Sequence, residues 1–188
     1  MLGVRMIRSL LCLAMYYHEL SPVKVAVFRD LGRVSIGEGF EILTKGVEAS
    51  LPLWLAEYLS KVGLVEVKEN SVGPQDVAMA LINERESGDY EFTQLKPRFY
   101  PEVKRLLNRV REASASDPEA ALSLVKLESN FDDLIQYRLR KIMKLALLSK
   151  EDELEEFMDK ILLEEGALLR MLKSLVSGWR GVMFERKQ

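Results

Sequence analysis

This chain of 188 residues contains one cysteine, Cys12, and one histidine, His18. That scarcity nearly excludes a disulfide framework, a Cys/His zinc site, a Cys–His nucleophilic pair drawn from distant parts of the fold, and most acid–base sites built on imidazole. The composition reads as that of a protein from a reducing compartment. An excess of one charge is also lacking: 27 Lys and Arg face 29 Asp and Glu, so the net charge is −2. Such a balance gives no global attraction to nucleic acid or anionic lipid, and it points to a protein partner. Long apolar runs are missing as well. Arg5 and Arg8 ahead of Leu10–Met15 imitate a signal peptide, but the apolar stretch is six residues and His18 and Glu19 follow at once. It is too short for export or for a membrane span. Residues 1–19 are therefore read as an extension of uncertain status, with Met15 as an alternative start. Asparagine and glutamine number four each, which is compatible with a thermophilic source.

What is present is ordinary for a globular protein, 48% apolar and 30% charged, with length for one ample core or two small ones. From Val23 the apolar residues alternate: Val23, Val25 and Val27, then Val34 and Ile36, then Phe40 and Ile42. This spacing predicts three short antiparallel strands, turned at Arg29–Gly32 and Gly37–Gly39. Leu51, Trp54, Leu55, Tyr58, Leu59 and Val62 recur at three and four residues, predicting a helix over 52–62 packed on that face. Pro52 suits its first turn and Gly63 its stop, and a strand over 64–68 follows. Residues 20–70 thus form a small β-rich domain with one helix, and 71–188 a larger helical bundle: an α+β chain.

In the helical part, Pro74 opens one helix, a polar connector follows it, and Pro101 opens the next along Val103, Leu106, Leu107 and Val110. Asp117-Pro-Glu119 starts a long helix whose stripe is Leu124, Leu127, Phe131, Leu134, Ile135, Leu139, Ile142 and Leu145. Ser149 with Asp152 makes a capping box for a last helix with a broad apolar face from Leu154 through Leu168, Leu169, Leu172 and Leu175 to Val176. That face is wide enough to expect part of it at a subunit interface, and Leu124, Phe131, Leu168, Leu172, Leu175 and Trp179 are its candidate residues. Trp179 lies past Gly178, where helix signals stop, and suits either a partner surface or a cover for the helical core.

No catalytic constellation stands out. Gly37-Glu-Gly39 lacks the third glycine and the lysine of a phosphate loop and is read as a β-turn. Glu128, Asp132 and Asp133 could ligate a divalent ion, but cations one turn on favour a salt-bridged helix face. Arg138, Arg140, Lys141 and Lys144, with Lys104 and Arg105, could touch a phosphate backbone; solvated or intersubunit pairing is the preferred reading. Trp54 and Tyr58, set among leucines, are read as core. No cofactor and no metal is expected.

The run Leu51-Pro-Leu-Trp-Leu-Ala56, followed by Leu59, Gly63 and Val65-Glu-Val67, resembles the β-domain signature of a GINS subunit of the DNA replication machinery. Phe131-Asp-Asp-Leu-Ile135 and Arg138-Leu-Arg-Lys-Ile142, with Lys141 inside the latter and Leu145-Ala146 after it, look like that family's long central helix. The order, β domain first, is that of the archaeal "two-three" type. The resemblance implies a cytoplasmic, nucleoid-associated, non-enzymatic scaffold, two copies of which join two of the β-last "fifty-one" subunit in a tetramer. It further implies binding to the MCM helicase and to a RecJ-like nuclease related to Cdc45, contact with primase or DNA polymerase, and direct DNA contact that is weak or absent. A nucleic-acid-binding regulator is the rival reading, and an acid-dependent metal enzyme using Glu128 and Asp132 a third.

Overall fold

The structure, a computed structural model, describes residues 2–36, 39–68, 72–148 and 156–184. The fold is α+β, a β-rich amino-terminal part followed by a mostly helical remainder. Two compact units are present, Leu11–Ser71 and Val72–Gln188 with Met1–Leu10.

In the place read as an extension, helix α1 (Leu2–Leu20) runs unbroken through Met15. Ala14 and His18, four residues apart on one face, are buried, and the Ser21 hydroxyl donates to the Tyr17 carbonyl at 2.8 Å at its end. Strand β1 (Pro22–Val27) then buries Val23, Val25 and Val27 as the alternation predicts. Its neighbours differ from expectation. β2 (Gly32–Ile36) and β3 (Gly39–Leu43) pair only with each other, while β1 lies between β4 (Glu48–Pro52) and β5 (Val65–Val67) in a second antiparallel sheet. The reversal after β1 sends the chain away from that sheet: the Leu31 N–H donates to the Leu43 carbonyl, Asp30 Oδ1 accepts the Lys45 N–H at 2.7 Å, and Gly32 takes a φ of +69°. Of the Gly37–Gly39 turn, residues 37 and 38 lie outside the described residues.

β4 has no counterpart in the sequence reading, and it moves Leu51 and Pro52 from the helix into a strand. Leu51 opposes Val23 in the sheet, and strand alternation carries Leu51 and then Leu53 inward. Helix α2 (Leu53–Lys61) therefore starts with Leu53 already facing the core, and Ala56 one turn later completes the buried face. Trp54, Tyr58 and Val62 consequently face solvent, with Trp54 50% and Tyr58 62% exposed, which overturns the buried face and the core role assigned to them. Leu55 and Leu59 are half-buried flanks. Gly63 ends α2 as expected: φ is +71°, its N–H donates to Ser60 O, and the Leu64 N–H donates to Leu59 O, the paired bonds of a Schellman stop. A Cβ at Gly63 would meet nothing within 4 Å, so Gly63→Ala should cost only the left-handed backbone, about 1 kcal/mol. Urea unfolding followed by Trp54 fluorescence in a Trp179→Phe background checks this.

The helical unit holds α3 (Pro74–Glu86), α4 (Phe99–Ser114), α5 (Pro118–Leu148) and α6 (Leu163–Phe184). Asp117 caps α5 as its sequence indicates, Oδ1 accepting the Glu119 N–H at 2.9 Å, and Asp76 Oδ2 accepts the Gly73 N–H at the start of α3. The connector between α3 and α4 is less polar than expected, since it buries Phe92 and Leu95. One apolar core gathers Val77, Leu81, Leu95, Phe99, Val103, Leu127 and Leu134; a second gathers Phe92, Ile142, Leu145, Ala146, Ile161 and Leu169. The proposed cap at Ser149 and Asp152, and Leu154, lie outside the described residues. From Phe157 onward the expected single helix is two pieces, broken at 159–162, because the Glu165 carboxylate reaches back to the Leu162 N–H at 2.8 Å and starts α6 there. α6 also continues through Gly178 and Trp179 to Phe184 rather than stopping.

Candidate functional site

Two features of the helical unit bear on function: a buried ionic layer and the apolar face beside it. The layer is built on α5, where Leu127, Phe131, Leu134, Arg138, Lys141 and Leu145 follow each other at alternating steps of four and three, the seam spacing of a packed helix. Two of those six seam positions carry cations. Arg138 is 1% exposed, its Nη1 donating to Glu84 Oε2 at 2.8 Å and to Thr93 O at 3.0 Å. Its Nε and Nη2 grip the two oxygens of Glu165, the latter at 2.7 Å, and Tyr100 donates its hydroxyl to the same carboxylate. Lys141 donates to Glu84 Oε1 at 2.7 Å, Ser87 Oγ at 2.6 Å, Glu91 O at 2.8 Å and Glu84 O at 3.1 Å. The Thr93 hydroxyl adds a 2.6 Å bond to Glu84.

The layer is neutral, two cations against two carboxylates, and each buried charge has a partner, as desolvation requires. Burial pushes the Glu84 carboxyl up, but the bonds from Lys141 and Thr93 and the charges of Arg138 and Lys141 outweigh it and hold its pKa below 4.5. Burial and then the Glu165 charge raise the Tyr100 phenol well above 10. Glu84 in the unfolded chain takes up a proton near pH 4.5, where the folded protein still holds it ionised. Its contribution to stability is thus fully present above that pH and lost as pH falls through the lower folded value. Thermal stability should be nearly flat from pH 7 to 5 and fall below about 4.5, and a Glu84→Gln chain should lose much of that acid dependence; calorimetry across this range checks it.

This layer overturns the reading of Arg138 and Lys141 as solvated, intersubunit or phosphate-binding cations. Of the other basic candidates, Lys144 pairs with Asp89 at 2.8 Å and Arg140 lies over the Tyr137 ring. Arg105 pairs with Glu102 in its own helix. Among the acids, Glu128 pairs with Arg111 and Asp133 with Arg85, each at 2.7 Å, while Asp132 accepts a bond from Gln136. The partners of Glu128 and Asp133 come from neighbouring helices, not from the cations one turn on. Among the described residues no group of acids, histidine and cysteine is placed to hold a metal ion. The seam acids Glu84 and Glu165 were missed by sequence reasoning; opposite charges at buried-stripe positions of three helices were the available signal.

The apolar face lies outside this layer. Ile135 and Leu139, assigned to the core stripe, sit at its exposed edge and continue through Met143 to Leu147 at four-residue spacing. An open groove of about 390 Å³ is lined by Leu147, Leu175, Val176, Trp179 and Arg180. Arg138 meets Glu165 and Leu147 lies beside Leu175 and Trp179, so α6 runs in the same direction as α5. Of the interface candidates, Leu175 is 66% and Trp179 64% exposed, and Trp179 does not fold back over the core. Phe131, Leu168 and Leu172 pack against the unit's own cores, and Leu124 is half-buried. The small unit shows a separate pattern: its core is wholly aliphatic, and Tyr16, Tyr17, Phe28, Phe40, Trp54 and Tyr58 are all exposed. Among the described residues no helix is long and apolar enough to cross a membrane. A scan against protein-family models and a search of curated proteins found no match to this chain.

Proposed function

We propose that this chain is a GINS-type subunit of the β-first "two-three" kind, a non-enzymatic scaffold of the replication fork. The observation that carries the reading is the apolar face running from Leu139, Met143 and Leu147 on α5 onto Leu175 and Trp179 on α6, exposed in the single chain. Contiguous apolar surface of this kind marks a site of association. It accompanies the Leu51–Ala56, Gly63 and Arg138–Ile142 runs on which the family resemblance rests. In this reading the helical unit assembles with the β-last "fifty-one" subunit, two copies of each, and the complex binds and stimulates the MCM helicase together with a RecJ-like nuclease. Contact with primase or DNA polymerase belongs to the same proposal. The nucleic-acid-binding alternative is weakened, because two of its four clustered cations, Arg138 and Lys141, are buried in ion pairs.

Co-expression with the β-last subunit from the same organism, followed by light scattering, tests the reading. A stable complex of about four chains is expected from closed oligomer symmetry. A soluble monomer that ignores the second subunit overturns it.

A further inference from the structure

We propose that the Arg138–Glu165 pair is a register key: it fixes where α6 sits along α5, and so where the Leu175–Trp179 face is presented. The apolar surface of α6 does not define that position by itself. Moving α6 by three residues would put Leu172 where Leu169 is buried, Met171 where Leu168 packs, and Leu175 where Leu172 packs. The positions of Leu168, Leu169 and Leu172 would again hold apolar side chains, so burial along this face of α6 distinguishes the two placements weakly. Gly166 does not decide between them. In the shifted placement Leu169 would take its position, where a Cβ meets the flexible ends of Met158 and Ile161 at 3.4 and 3.9 Å.

The ionic layer does decide. In the shifted placement Leu168 would stand where Glu165 stands, leaving the guanidinium of Arg138 buried against a leucine with only Glu84 and the Thr93 carbonyl as acceptors. The Tyr100 hydroxyl would lose its partner in the same step. Glu165 is the only buried charge on α6 among the described residues, and its two oxygens are engaged at once by Arg138, Tyr100 and the Leu162 N–H. A buried, bidentate, fully bonded carboxylate tolerates displacement by a turn far less than leucine does, and single buried polar groups set register in other helical assemblies in this way. The layer also lies between the two apolar cores, Leu134 on one side and Ile142 on the other, so it meets α6 at the boundary between them.

The test is a full-length triple variant, Arg138→Met, Glu165→Leu and Tyr100→Phe, which removes the key without orphaning a charge, since Glu84 keeps Lys141 and Thr93. Its amide NMR spectrum should show two sets of signals for residues 163–184, or signals broadened by exchange between them, while α3 and α4 keep one set. A folded triple variant with a single sharp set for α6 overturns the proposal, because apolar packing would then hold the register alone. If the triple variant does not fold, Glu165→Gln and Arg138→Lys decide. Glutamine offers one carbonyl oxygen where Glu165 uses two, so it keeps at most the Arg138 Nε and Tyr100 bonds and turns an amide NH2 toward Arg138 Nη2 and the Leu162 N–H. It should speed amide exchange in α6 at least tenfold while α3 stays unchanged. Lysine loses the fork, and should speed amide exchange in α6 at least tenfold while α3 stays unchanged. Equal acceleration in α3 and α6 would reduce the pair to general structural support and overturn the key.

Discussion

Replacing Arg138 with alanine is expected to destabilise the helical unit by about 3–5 kcal/mol, the range for removing one partner of a buried ion pair. The side chain is almost wholly buried and donates to Glu84, Glu165 and Thr93 O at once. Without it the Glu165 carboxylate keeps only the Tyr100 hydroxyl and the Leu162 N–H, and a buried negative charge is left without a cation. Glu84 suffers less because Lys141 remains on it. The loss is a large share of the 5–15 kcal/mol that holds a typical domain together, so the variant should unfold at a markedly lower urea concentration. Far-ultraviolet circular dichroism with Trp179 fluorescence measures it. A midpoint within experimental error of the parent would mean that the guanidinium is solvated, and the ionic layer would not exist as described. The apolar triple variant is expected to lie near the parent in stability, since exchanging a whole buried ionic group for apolar residues is often neutral.

Local signals with one dominant physical cause were legible in the sequence. Asp117-Pro-Glu119 starts α5 because a side-chain acceptor, a fixed φ and a missing N–H all favour the same end. Gly63 stops α2 because the stop needs a positive φ, and the valines of β1 alternate because one face is buried. Where two causes compete, the sequence misled. Trp54, Tyr58 and Val62 make the more hydrophobic face of α2, yet Leu53 and Ala56 are inside, because β4 delivers the chain to the helix with Leu53 already facing in. β4 itself was hidden, with only Ala49 and Leu51 facing inward and a terminal proline that reads as a helix start. Arg138 and Lys141 were placed outside by their charge. Only the spacing that sets them in line with Leu134 and Leu145 argued otherwise, and that spacing acquires its meaning once Glu84 and Glu165 are seen to meet them. The candidate assembly face was half legible: Leu175 and Trp179 are exposed, whereas Leu168 and Leu172 turned inward once α6 was set on the second core.

That division decides which substitutions separate assembly from folding. Leu175→Glu with Trp179→Glu should abolish the complex with the β-last subunit, while the chain alone keeps its helix content and urea midpoint. Both residues are about two-thirds exposed and line the groove beside Leu147, so a charge placed there stays in water in the single chain. In an assembly that covers the groove the same charge is buried without a partner, and anchor residues of this kind carry 2 kcal/mol or more each. The double variant should therefore weaken association by roughly 100-fold or more, enough to convert the light-scattering mass from that of a complex to that of a monomer at micromolar concentration. Leu168→Glu and Leu172→Glu form the contrast. They place a charge against Ile142, Leu145 and Leu169, so they should lower the urea midpoint whether or not a partner is present. Trp54→Ala on the small unit should leave association through the helical face unchanged. A Leu175/Trp179 double variant that still forms the complex at the parent's affinity would move the interface away from α6, and the exposed aromatics of the small unit would become the surface to mutate next.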